Sequence, residues 1–194
     1  QAMLHRHLTD YNCNVNVTME HGLAWVLVSM TLEVVNPIKD CIRLFGHTWY
    51  SKHQGPYFRR ELIFQNEDGL VMFKGSTFSV LLDIDKRTVF RKKELPFEIH
   101  QPTEELLIDA MPNFKANAEF ESIQQPHVQR SHIDCLNHVN NCRYGEYAYD
   151  AFNDEELDRL KHLKRLEIYF NSEMRNGDIF TIEKADQDEK LLFR

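Results

Sequence analysis

Basic side chains are in short supply, with 23 lysines and arginines against 30 aspartates and glutamates and a net charge of −7. A chain so balanced has no broad cationic face to neutralise phosphates, so no nucleic-acid partner is expected. It also lacks any apolar run near the roughly 18 residues of a membrane span, and no charged-then-apolar leader precedes a cleavage site. A soluble protein with no membrane partner and a cytoplasmic location is the expectation. The four cysteines, Cys13, Cys41, Cys135 and Cys142, include no C-x-x-C pair and form no secreted-type framework, so reduced thiols are expected. Neither His5 with His7 nor His132 with His138 has further ligands at a recognised spacing. The expected metal and cofactor complement is none.

What the chain does have is 42% hydrophobic content over 194 residues, enough to bury a core as one or two domains. Residues 22–35, GLAWVLVSMTLEVV, lie between Gly22 and Pro37 and alternate Trp25, Leu27 and Ser29 against Val26, Val28 and Met30, the pattern of a long strand. Residues 42–50, 57–65 and 70–84 continue the pattern, with NEDG at 66–69 and DIDKRT at 83–88 as turns, which gives an antiparallel meander. In residues 94–118 Pro96, Pro102 and Pro112 break any long element and leave room for a short helix at 103–110. Strands are then expected near 119–129, 166–173 and 179–185, the last after a turn at Asn176, Gly177 and Asp178.

The chemistry is concentrated in residues 131–152, SHIDCLNHVNNCRYGEYAYDAF, where Asp134, Asn137, His138, Asn140 and Asn141 precede an amphipathic helix. Tyr144, Tyr147, Ala148, Ala151 and Phe152 recur on one helical face, and Asn140 or Asn141 is a natural N-cap. Such a knot is either a well-satisfied turn or a site. A helix N-terminus offers backbone N–H groups and partial positive charge to a carbonyl oxygen that gains charge in acyl transfer, with Asp134 and His138 beside it as base or orienting groups.

HIDCLNHVNNCRYGEY resembles the D-x-N-x-H-V-N-N-x-x-Y signature of plant and bacterial acyl-acyl carrier protein (acyl-ACP) thioesterases, through His138 to Asn141 and Tyr144. Gly22 to Trp25, Trp49, Phe58 to Glu61 and Gly75 to Phe78 follow the order of that family's first half. The resemblance implies an α+β fold of two tandem hot-dog domains, each a curved antiparallel sheet wrapping a central helix: a first repeat at 1–100 on the acyl-pocket side, a linker at 101–118, and a second repeat at 119–194 carrying the catalytic site. The first-repeat helix is not evident, because only six residues, 16–21, separate an opening strand near 8–15 from Gly22, and a core-spanning helix needs about 12. The C-terminal sheet would also want one or two more strands, so the chain is expected to be curtailed there.

The resemblance carries over Asp134, His138 and Glu173 as catalytic residues, with Asn140, Asn141, Trp25 and Trp49 on the substrate side. On strand pattern alone Glu173 is a solvated carboxylate. Two departures stand out: Leu136 occupies the family's asparagine slot with Asn137 next to it, and Met174 replaces the cysteine that often follows the glutamate in plant members. Asn137 can supply the missing amide only if the turn is irregular. A covalent mechanism would have to use Cys135 or Cys142. The implied reaction is hydrolysis of acyl-ACP to free fatty acid, with acylated carrier protein as partner, no cofactor, and a homodimer allowed; a hot-dog acyl-CoA thioesterase and a non-catalytic acyl-binding module are the alternatives. Carrier docking would use Lys86, Arg87, Arg91, Lys92 and Lys93, or Lys161, Lys164 and Arg165, unless these are only solvated faces.

Overall fold

The β-branched, apolar run after Gly22 forms β1 (Leu23–Val34) at the heart of an antiparallel sheet. A computed structural model describes residues 8, 14–37, 43–92, 94–134, 136–187 and 189–194. With β2 (Phe45–Gln54), β3 (Tyr57–Gln65), β4 (Val71–Asp83), β5 (Thr88–Val89) and β7 (Arg165–Tyr169), the order is β2-β3-β4-β1-β7, and β5 pairs with β4. One-residue register shifts at Leu27/Ser29 in β1 and Tyr50/Lys52 in β2 bend these strands, as bulges do. The expected strand near 8–15 differs where it is described: Leu8 is helical, and Val15 opens α1 (Val15–Glu20) because the Asn14 side chain accepts the Asn16 and Val17 N–H groups as an N-cap. Residues 9–13 lie outside the described residues.

The chain divides into two units, the first comprising Gln1–Asn113 and Lys164–Tyr169. Its core gathers Leu23, Tyr50, Phe58 and Leu81, with Phe90, Leu95, Phe97 and Ile99 of the following segment packed against them. The segment at 103–110 is irregular, not helical, because its polar backbone is bonded to the sheet: Thr103 N–H to Tyr50 O, Glu104 N–H to Ser51 O, and Leu107 N–H to Glu61 Oε2. Helix formation would break all three bonds. Below it lies a buried ion pair. Arg59 Nε is 2.6 Å from Glu61 Oε1, Ser51 Oγ donates to the same oxygen at 2.9 Å, and Arg59 Nη2 donates to Ile108 O at 2.6 Å. Strand β7, expected in the second repeat, instead pairs with β1 from Ser29↔Tyr169 to Glu33↔Arg165. Arg165 explains the preference, reaching Glu33 and Glu167 at 2.5 Å and the Asp109 carbonyl at 2.6 Å.

The second unit comprises Phe114–Leu163 and Phe170–Arg194. Its antiparallel sheet has the order β6-β8-β9, from β6 (Glu121–Gln124), β8 (Ile182–Gln187) and β9 (Lys190–Phe193). The strand expected near 119–129 is only these four residues, since Pro126 has no N–H for a ladder; beyond it a lone His127↔Ile179 bridge continues. Helix α2 (Asn141–Tyr149) is followed by α3 (Asp154–Leu160), which starts on a reciprocal Asn153–Glu156 capping box. Glu156 is buried and meets Lys184 Nζ of β8 at 2.7 Å, tying α3 to the sheet. Among the described residues, no helix is long and apolar enough to cross a membrane, which says nothing of a β-barrel.

Candidate active site

The polar knot folds as a tight loop on the N-terminus of α2, within the second unit. Asp134 N–H donates to His138 O at 2.8 Å, Ile133 bridges Val139, and Asn140 N–H donates to His132 O at 2.9 Å, closing the loop like a short hairpin. Asp134 holds the loop from inside. Its Oδ1 accepts the N–H of Leu136 at 2.8 Å and of His138 at 3.3 Å, an Asx-type turn that fixes the backbone carrying His138. Asn137 sits at the apex with φ +63, the left-handed region that asparagine tolerates better than most residues. The turn is therefore irregular, as Asn137 would require to present an amide in place of Leu136, whose own side chain is 62% exposed.

Glu173 reaches the site from the segment after β7. His138 Nε2 lies 3.3 Å from Glu173 Oε2, and the two side chains are 24% and 38% exposed, so solvent water has access to the pair. Two bonds set that approach. Val139 N–H donates to the Met174 carbonyl at 2.8 Å, and Tyr144 Oη donates to the Ser172 carbonyl at 3.3 Å, bracketing Glu173 on both sides. Burial pushes the Tyr144 phenol up, and the Glu173 carboxylate adds to the shift, so the hydroxyl stays protonated as the donor this contact needs.

Asn140 caps α2, its Oδ1 accepting the Cys142 N–H at 3.0 Å, while its own carbonyl accepts the Arg143 N–H at 2.8 Å. Asn141 opens the helix, and its N–H is the first-turn donor left without a partner among the described residues. The structure thus brings Asp134, Asn137, His138, Asn140, Asn141 and Glu173 into one unit. Trp25 and Trp49 are in the other. There Trp25 meets Phe58 edge-on at 4.9 Å, and Trp49 Nε1 donates to the Glu105 carbonyl at 3.1 Å. Of the two thiols named with the site, Cys135 lies outside the described residues and Cys142 is exposed. Among the described residues no cluster of three or more His, Cys, Asp or Glu side chains could hold a metal.

Sequence reading missed His132, whose Nδ1 accepts the Gln129 N–H at 3.1 Å and lies 2.7 Å from Tyr147 Oη. The available signal was the spacing of Tyr144 and Tyr147, about one helical turn apart, which puts both rings on one face of the helix.

Residues 115–194 match the family described as acyl-ACP thioesterase C-terminal domain, and this stretch contains the whole loop, α2 and Glu173. That stretch is similar to the C-terminal domain of acyl-ACP thioesterases. An acyl-ACP thioesterase from Bacteroides thetaiotaomicron has a similar fold, with TM-score 0.76 at 18% identity over 98% of this chain and 79% of that one. The 12:0-ACP thioesterase from Umbellularia californica superposes with TM-score 0.69 at 13% identity, covering 95% of this chain and 76% of that one. At these identities the likeness speaks to the fold alone, a hot-dog architecture built mostly of antiparallel sheet. A search of curated protein sequences gave no match.

Proposed function

We propose that the chain hydrolyses acyl-ACP thioesters, and that its site works by direct attack of water, with Glu173 as general base and His138 as its partner in moving the proton. The observation that carries this reading is the His138 Nε2 to Glu173 Oε2 contact of 3.3 Å at a solvent-accessible position. Glu173 takes a proton from water as the water oxygen bonds to the thioester carbon, and the carbonyl electrons move onto oxygen. The Asn141 N–H at the positive end of α2 faces that developing charge. Collapse breaks the C–S bond, and the proton returns through His138 and Glu173 to the departing thiolate, giving free fatty acid and carrier thiol. Asp134 acts on the backbone, holding the loop that presents His138, and Asn137 supplies the amide that Leu136 does not.

Release of the free acid ends acyl-chain growth on the carrier, which places this chain at the termination step of fatty acid biosynthesis. For the acidic carrier, Arg91 and Lys92 are the better docking candidates. Arg165 is bound to Glu33 and Glu167, and Lys161 pairs with Asp158 at 2.5 Å, whereas Lys92 lies over Phe90 at 5.9 Å. Lys93 lies outside the described residues.

Glu173→Gln tests the assignment, because it keeps the side-chain volume and removes the base. It should lower kcat by roughly 100- to 10,000-fold with little change in acyl-ACP binding. Cys142→Ser should retain most activity, and no acyl-enzyme should accumulate. An active Glu173→Gln enzyme or an acyl adduct on a cysteine overturns water attack. Leu136 in the amide slot also admits a second reading, an acyl-binding module without turnover. Assaying one acyl group on carrier protein and on coenzyme A separates the three cases: turnover on the carrier, turnover on both, or binding without turnover.

A further inference from the structure

We infer that His132, together with Tyr147, is a positioning residue that sets the angle at which the loop presents His138 to Glu173; this deepens the proposed mechanism and rests on it. His132 stands at the stem of the loop, where it binds Gln129 on one side and Asn140 and Tyr147 on the other. Its N–H donates to Gln129 O at 3.0 Å, its carbonyl accepts Asn140 N–H at 2.9 Å, and its Nδ1 accepts Gln129 N–H at 3.1 Å. A backbone N–H can only donate, so Nδ1 is an acceptor and the neutral ring carries its proton on Nε2. Tyr147 Oη, 2.7 Å from the same nitrogen, is then a donor.

The consequence is geometric. Asn140 is the N-cap of α2 and Tyr147 lies two turns along it, so one imidazole and its own carbonyl grip the helix at two points. Two such points fix rotation of α2 about the stem as well as distance from it. The rings reinforce the grip: His132 meets Tyr147 edge-on at 5.3 Å, and Tyr147 rests on Phe180 at 4.8 Å. Tyr144 on the same helix donates to the Ser172 carbonyl next to Glu173, and Val139 in the loop donates to Met174. A helix that turns about its stem therefore moves His138 and the Glu173 segment relative to each other. Misplacement of reacting groups by about 1 Å costs on the order of 100-fold in rate.

The test compares His132→Leu, which removes the acceptor, with His132→Asn, whose Oδ1 can take the place of Nδ1, and with Tyr147→Phe, which keeps the ring and removes the hydroxyl. His132→Leu should lower kcat roughly tenfold or more with KM within about twofold, and His132→Asn should recover most of it. The 15N spectrum of the parent protein should show His132 as the Nε2–H tautomer, and Tyr147→Phe should shift the ring signals of His138. An unchanged kcat in His132→Leu overturns the inference. So does an equal loss in the leucine and asparagine variants accompanied by a falling Tm, which marks a purely structural residue. If the parent protein turns over no acyl-ACP, the functional reading has failed, and the spectra decide this point alone: a His138 signal unmoved by Tyr147→Phe overturns it, and a shifted one supports it.

Discussion

Glu61→Ala should be among the most damaging substitutions in the first unit, although Glu61 lies on a strand with no part in the chemistry. The side chain is 0% exposed, and its carboxylate receives five hydrogen bonds: from Arg59 Nε at 2.6 Å, Arg59 Nη2 at 3.4 Å, Ser51 Oγ at 2.9 Å, Ser76 Oγ at 3.5 Å and Leu107 N–H at 3.2 Å. Truncation leaves Arg59, 7% exposed, as a buried cation with, among the described residues, only the Ile108 carbonyl and the face of Phe78 around its guanidinium. Breaking a buried pair from one side costs about 3–5 kcal/mol, a large share of the roughly 5–15 kcal/mol that keeps a domain folded. The chain's two tryptophans, Trp25 and Trp49, both lie in the first unit, so urea unfolding followed by tryptophan emission reports on that unit. With a slope of about 1–3 kcal/mol per molar urea, a loss of about 4 kcal/mol moves the midpoint down by at least about 1.3 M. Replacing both partners, Arg59→Met with Glu61→Leu, should recover part of the loss by removing the stranded charge, but not all, because Leu107 N–H and Ser76 still lose their acceptor. A Glu61→Ala loss below about 1 kcal/mol, the value of one ordinary hydrogen bond, would refute the reasoning.

Asn137→Gly keeps the left-handed apex while deleting the amide, so kcat should fall with the fold intact if the amide takes part, and an unchanged kcat reduces Asn137 to a turn residue. Burial by itself would raise the Glu156 carboxyl, but Lys184 and the Asn153 N–H hold it below its ordinary value. A carboxyl lower in the folded than in the unfolded state stabilises fully above the unfolded value, and that contribution is lost as pH falls through the folded value. Glu156→Gln should therefore lower Tm near neutral pH by more than it does below about pH 4, and a difference independent of pH would contradict the Lys184 pairing.

The sequence by itself determined the features whose partners are close along the chain. Alternation from Leu23 to Val34 dictates a strand, and Asn140 followed by the apolar face of Tyr144 and Tyr147 dictates a capped helix. Asp134 can bond the N–H groups of Leu136 and His138 because they are only two and four residues away. The residues that resemble the thioesterase signature lie within this local set, which is why the candidate loop could be read before any fold was known. What tertiary structure alone decided involves partners far apart in the chain. The alternating pattern of β7 makes it a strand but does not say which strand it joins; Arg165 reaching Glu33 across 132 positions, and Asp109 across 56, puts it beside β1. Residues 103–110 have the composition for a short helix, yet the carbonyls of Tyr50 and Ser51 and the carboxylate of Glu61 capture their N–H groups. The pairing of His138 with Glu173 is of the same kind. A strand pattern leaves Glu173 solvated, and only the bonds from Val139 to Met174 and from Tyr144 to Ser172 bring its carboxylate to the imidazole. Local periodicity fixes which way a side chain faces, and the choice of partner depends on which distant groups satisfy the same buried donors and charges.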